Sequence, residues 1–144
     1  MELSEDTKRA IIEEGHQHLN NYGGKSMEER KKKGMFFTPP ELIIDMIECL
    51  DRIDPNEDYE DPCAGGGAIL SALLIAGVRP EHIYCNELDP KMLEVAKGRL
   101  NNLAMKLYGA KIPDDHFRHE DALTEEAYFV KEKTFAEKFG KTKL

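Results

Sequence analysis

The sequence predicts an α/β fold, a parallel sheet with helices on its faces, preceded by a helical amino-terminal segment. Three observations predict it. Short candidate strands alternate with helical patterns between about residues 40 and 121. A glycine-rich turn, Cys63–Gly67, joins the first strand to an apolar helix. The second and third strands run into acidic residues, Glu87 and Asp121, at the strand ends where sheets of this kind place their ligands.

From Ser4 to about Leu19 the pattern is helical, with Ser4 as a cap and Ile11, Ile12, His16 and Leu19 at helical spacing. Asn20-Asn21-Tyr22-Gly23-Gly24 breaks it, and residues 25–33 read as a short helix or a charged linker. The basic run Arg30-Lys31-Lys32-Lys33 is better explained as a solvated stretch than as a phosphate-contacting patch. Residues 1–33 thus form a helical, charged segment, and 34–144 the domain that carries the sheet.

Gly34-Met35-Phe36-Phe37-Thr38-Pro39-Pro40 is a rigid segment, because its prolines remove two backbone donors and fix the chain near an extended geometry. A proline opens the next helix, about Glu41–Leu50, whose inner face is expected to carry Leu42, Ile43, Met46, Ile47 and Leu50. Asp58–Asp61 is a short strand, acidic for a buried one. An apolar helix follows from Ala68 to Ala76 and ends at Gly77. Ile83–Asn86 is the second strand. Asp89 as N-cap and Pro90 as first helical residue start a long helix, with Met92, Leu93, Ala96, Leu100, Leu103, Ala104 and Leu107 on its apolar face and Gly109 at its end. His116–His119 is the third strand, and the charged tail 124–144 reads as helix and loop that Phe129, Phe135 and Phe139 could dock.

Length and composition set the frame. A chain of 144 residues suits one domain, and 33% charged with 40% hydrophobic residues suits a soluble globular protein. No stretch approaches the ~20 apolar residues of a membrane span, and the acidic amino terminus lacks a signal peptide's apolar centre, so a cytoplasmic protein with no membrane partner is expected. Cys49, Cys63 and Cys85 form no metal or disulfide pattern and are expected to be reduced, mostly buried thiols. A net charge of −8 counts against a standalone nucleic-acid binder.

The chemistry concentrates in Asp61-Pro62-Cys63-Ala64-Gly65-Gly66-Gly67. Glycines between a strand and a helix let the backbone approach a ligand, and the helix start behind them offers free N–H donors. The bland alternative is a tight turn with no ligand. The sequence lacks the lysine-bearing loop that cradles phosphates, and a carboxylate at Asp61 would repel a pyrophosphate while suiting a cation. Glu87 can accept from both hydroxyls of a ribose, Leu88 can pack on an adenine face, and Asp89 is better read as a helix cap. Asp121 can accept from an adenine amine, with the backbone beside it at Ala122 serving a ring nitrogen.

Together these segments resemble the DNA adenine-N6 methyltransferases of restriction-modification systems. Gly34–Pro39 is similar to that family's Gly-x-Phe-Phe-Thr-Pro segment, Asp61–Gly67 to its Asp-Pro-x-x-Gly-x-Gly, and Asn86–Pro90 to its ribose-binding strand end; Glu120-Asp121-Ala122-Leu123 resembles Gly-Asp-Ala-Leu with Glu120 replacing glycine. The resemblance implies a Rossmann-like sheet of the S-adenosylmethionine-dependent type, truncated, with S-adenosylmethionine as cofactor. Phe37, Thr38 and Pro39 would close over its methionine end, Asp61, Pro62, Cys63, Ala64, Gly65 and Gly67 would form the central loop, and Glu87, Leu88, Asp121 and Ala122 would hold the nucleoside. The family's catalytic Asn/Asp/Ser-Pro-Pro-Tyr/Phe loop has no counterpart after Asp121. The expectation is therefore a cofactor-binding part that reaches DNA only through a fuller enzyme or partner chain. An open sheet edge would favour self-association or a partner subunit. The alternatives are a non-catalytic cofactor-binding or interaction protein of regulatory or anti-restriction type, and, further off, a nicotinamide-dependent oxidoreductase. The last would account for Gly65, Gly67 and Glu87 but not for Phe37-Thr38-Pro39 or Asp61-Pro62.

Overall fold

The computed structural model describes residues 1–21, 38–124 and 126. Helix α1 spans Glu5–Asn21, α2 Pro40–Glu48, β1 Tyr59–Asp61, α3 Ala68–Ile75, β2 Ile83–Asn86, α4 Pro90–Tyr108 and β3 Phe117–Arg118. The three strands form one parallel sheet in the order β1-β2-β3, with Tyr59 opposite Ile83 and Cys85 opposite Phe117. This is the expected α/β architecture.

Helix α3 is the hub of the core. It packs on α1, α2, α4 and β1. Its eight residues are apolar except Ser71, and Leu70 to Leu74 are all buried, as a helix covered on every side requires. Leu3 and Ile11 from the amino-terminal segment belong to the same cluster as Ile43, Leu74, Ile83 and Leu100. Among the described residues, no helix is long and apolar enough to cross a membrane.

Local signals set several boundaries. The Ser4 hydroxyl accepts from Thr7 N–H at 3.1 Å, and the Asp89 carboxylate accepts from Lys91 N–H at 2.9 Å, so both helices begin on side-chain caps. Gly109, at φ 69°, closes α4.

Other expectations need correction. On α2, Ile43, Ile44 and Ile47 are buried, whereas Leu42, Met46 and Leu50 are exposed. The helix packs on both α1 and α3, with buried Pro40 so close to Gly15 of α1 that a methyl group there would come within 2.7 Å of it, and the isoleucine row is the side those neighbours cover. His16 is exposed, 3.3 Å from Glu41. Leu107 is exposed because it borders an open cleft between α4 and α1, shared with Gln17 and His18. Cys49 caps α2 and Cys63 lies in a turn, so both are exposed and only Cys85, inside β2, is buried. The first helix continues through Asn21, and β3 is only Phe117–Arg118, since His116 ends a preceding 3₁₀ turn. Gly34–Phe37, the basic run at 30–33 and the tail phenylalanines lie outside the described residues.

Candidate functional site

Three loops leave the carboxyl ends of β1, β2 and β3, and the side chains singled out from the sequence lie on them. After β1, Asp61 accepts from Cys63 N–H at 3.0 Å, which turns the chain into the glycine loop. Gly65 (φ 54°) and Gly67 (φ 84°) adopt left-handed conformations that other residues reach only with strain. A β-carbon on Gly67 would lie 3.4 Å from Ala96 and Leu100 of α4, so this glycine also permits α3 and α4 to close up. A β-carbon on Gly65 would meet nothing within 4 Å, which leaves open space beside the loop.

After β2, the Glu87 carboxylate bridges two backbones. One oxygen accepts from Gly65 N–H at 2.9 Å and the other from Asp89 N–H at 2.8 Å. Glu87 therefore ties the glycine loop to the start of α4, and each oxygen keeps a lone pair for a further donor. Leu88 beside it is 60% exposed. After β3, Asp121 accepts from Leu123 N–H at 2.9 Å through its side chain, and its carbonyl accepts from both the amide and the hydroxyl of Thr124. Ala122 is half-buried in that turn.

Thr38 shares a small recess with Gly15, Ala68 and Arg99, which brings it beside the first residue of α3, and Pro39 is the N-cap residue of α2. Phe37 lies outside the described residues. Three of the expected segments thus lie at the carboxyl end of the sheet, and Thr38 lies beside the start of the helix that follows the first of them.

The carboxylates there, Asp61 and Glu87, influence each other and a neighbouring thiol. Burial lifts the Asp61 carboxyl above its ordinary range, opposed by the Cys63 hydrogen bond and reinforced by the charge of Glu87. Burial, with Asp61 and Glu87 adding to it, pushes the Cys85 thiol up to about 12, so it stays protonated and unreactive at neutral pH. Such a site suits a cation or hydrogen-bond donors and resists a phosphate.

Two residues of this site escaped the sequence reading. Asn86 is 1% exposed. Its side-chain amide donates to the carbonyls of Pro62 (2.8 Å) and Glu120 (2.9 Å), and its side-chain oxygen accepts from Glu120 N–H at 2.9 Å. The signal was an amide closing a strand that amides disfavour. Arg99, with a side chain 7% exposed, donates twice to Glu14 of α1, at 2.6 and 2.8 Å, and once to the Gly66 carbonyl at 3.2 Å. It couples the amino-terminal helix to the glycine loop, and nothing near it in sequence announced Glu14.

The model of the family described as N-6 DNA Methylase matches residues 18–137. The chain is similar to the Type II methyltransferase M.VspI of Vibrio sp. (strain 343), with 32% identity over 74 residues, which are 51% of this chain and 18% of that relative. No solved structure matches.

Proposed function

Because the chain belongs to the N-6 DNA methylase family, we propose that it forms the S-adenosylmethionine-binding part of a DNA adenine-N6 methyltransferase. The observation that carries this reading is the Glu87 carboxylate, clasped between Gly65 and Asp89 at the end of β2, beside the open space at Gly65. Its remaining lone pairs suit the two hydroxyls of a ribose. Asp61 offers negative charge to the cationic methionine end, and the exposed Leu88 offers a face to the adenine. Asp121 and the backbone at Ala122 suit the adenine edge once the carboxylate exchanges Leu123 N–H for the base amine. Pro62, Cys63, Ala64 and Gly67 are assigned the loop around the methionine chain, and Phe37, Thr38 and Pro39 the same end of the cofactor.

Bound there, S-adenosylmethionine would supply a methyl group on a sulfonium for direct transfer to an adenine amine. The task of these residues is to bind, orient and hold charge near the sulfonium. The groups that grip the acceptor are assigned to sequence beyond this chain or to a partner, and DNA is the acceptor of the whole assembly. The edge of β1 is the docking place for that remainder. Among the described residues β1 has a strand neighbour on one side only, and an apolar groove lined by Met46, Leu50, Tyr59, Ile69 and Leu73 runs beside it. The working compartment is the cytoplasm, where the cofactor and DNA are.

Calorimetric titration with S-adenosylmethionine tests the reading. Wild type should bind, and Glu87→Ala should lose ~2–3 kcal/mol, roughly 30- to 150-fold in Kd. Absence of binding by the folded wild type would sink the cofactor assignment and leave an interaction module with the family's fold.

A further inference from the structure

We propose that Asn86 is a positioning residue for the cofactor pocket, an inference that rests on the function proposed above. A parallel sheet normally keeps its strands in step through backbone ladders. Here the ladders stop early. The last residues in register are Asp61 with Cys85, and Asn86 with Arg118. Just beyond them two backbone bonds remain, Ala64 N–H to the Asn86 carbonyl and Glu87 N–H to the Arg118 carbonyl, both at 3.0 Å, and Pro62 has no N–H to offer.

The Asn86 carboxamide takes over. It exchanges two hydrogen bonds with Glu120, one from its amide to the Glu120 carbonyl and one from the Glu120 N–H to its oxygen. That is the pattern a peptide group would make. Its second amide proton holds the Pro62 carbonyl, and its own main-chain carbonyl accepts from Ala64 N–H at 3.0 Å. One buried side chain therefore joins all three strand ends: it holds Pro62, one residue past the last paired residue of β1, and Glu120, two residues past that of β3.

The residues it fixes have a common feature. Each leads into a proposed contact, Pro62 (itself one) into Cys63 and Glu120 into Asp121, while Asn86 itself leads into Glu87. The clamp thus sets the spacing between the loop that takes the methionine end and the loops that take the ribose and the adenine. No other side chain of this size does all of this. Leucine would strand two carbonyls and an N–H in a dry place. Aspartate would keep the bond from Glu120 N–H but set its charge against the Pro62 and Glu120 carbonyls, with Asp61, Glu87 and Glu120 adding more negative charge nearby.

The test is Asn86→Asp in the full chain, titrated calorimetrically with S-adenosylmethionine from pH 8 to pH 5.5 beside wild type, well below the thermal midpoint of each. At pH 8 the folded variant should bind about tenfold or more weakly. As the pH falls its affinity should approach that of wild type, because a protonated carboxyl regains a donor for one carbonyl. A purely structural role would lower the thermal midpoint and leave the affinity of folded protein unchanged. Asn86→Ser, which leaves room for water to serve Pro62 and Glu120, keeps the question answerable should the aspartate variant not fold, and it too should bind about tenfold or more weakly. Wild-type affinity in either folded variant would overturn the inference while leaving the cofactor reading intact. Failure of wild type itself to bind would overturn both.

Discussion

The glycine loop after β1 and the Asp121 loop after β3 are held in contrasting ways. The first is fixed from outside. Glu87 holds Gly65, Asn86 holds Pro62 and Ala64, and Arg99 holds the Gly66 carbonyl, so contacts from β2 and α4 converge on a few residues. Among the described residues, the second carries Asp121's own bonds to Leu123 and Thr124, the Asn86 grip on Glu120 at its root, and the Arg118 guanidinium on the Glu126 carbonyl. A loop fixed by distant elements needs little ordering when a ligand arrives. A loop whose carboxylate is already spent on its own turn must trade one hydrogen bond for another, so its net gain on binding is smaller.

Three measurements would break or sharpen this contrast. The largest effect should come from α1. Glu14→Ala leaves the Arg99 guanidinium largely buried without its carboxylate and should cost about 3 kcal/mol of stability in urea unfolding. It should also weaken S-adenosylmethionine binding, although residue 14 is not itself a proposed contact. Replacing the pair together, Glu14→Gln with Arg99→Met, should recover most of the stability but not the hold on Gly66. Next, Asp121→Ala should cost about 1 kcal/mol of affinity, well below Glu87→Ala, with little change in unfolding. An equal loss at the two carboxylates would mean that both loops are equally prepared.

The smallest effect concerns pH. Burial raises the Asp61 carboxyl above its ordinary 3.8, so the folded protein keeps this proton to higher pH than the unfolded chain. The stability it contributes is therefore full below 3.8 and falls as pH rises through the raised value. Asp61→Asn should be slightly more stable than wild type at pH 7, with the difference closing toward pH 3.8, while binding the cationic cofactor less well. A variant less stable at both pH values would show that the carboxylate supports the glycine loop rather than straining it.

The sequence was most informative where signals are local. Asp89, Pro90 and Gly109 bounded α4, and Ile83–Asn86 was read as it stands, because caps and strand runs act over a few residues. The convergence of Asp61, Glu87 and Asp121 followed from the alternation of elements alone. What escaped depends on distant partners. The buried face of α2 is covered by α1 and α3, with Pro40 against Gly15, 25 positions apart. The reach of Arg99 to Glu14 crosses 85 residues, and that of Asn86 to Glu120 crosses 34. Periodicity places an apolar stripe but does not say which neighbour will claim it, and the stripe on α2 was wide enough to be turned either way.

The acidity of β1, anomalous for an inner strand, has a consequence at the sheet's margin. Tyr59-Glu60-Asp61 is three residues long and shares a groove with exposed Met46 and Leu50. An apolar margin of that kind invites amyloid-like stacking of identical chains. Two copies meeting there would set Glu60 and Asp61 against their own equivalents, within molecules that each carry a net charge of −8. Like-charge contact of that kind would disfavour stacking of identical chains, and a strand bringing neutral or basic side chains would meet no such opposition.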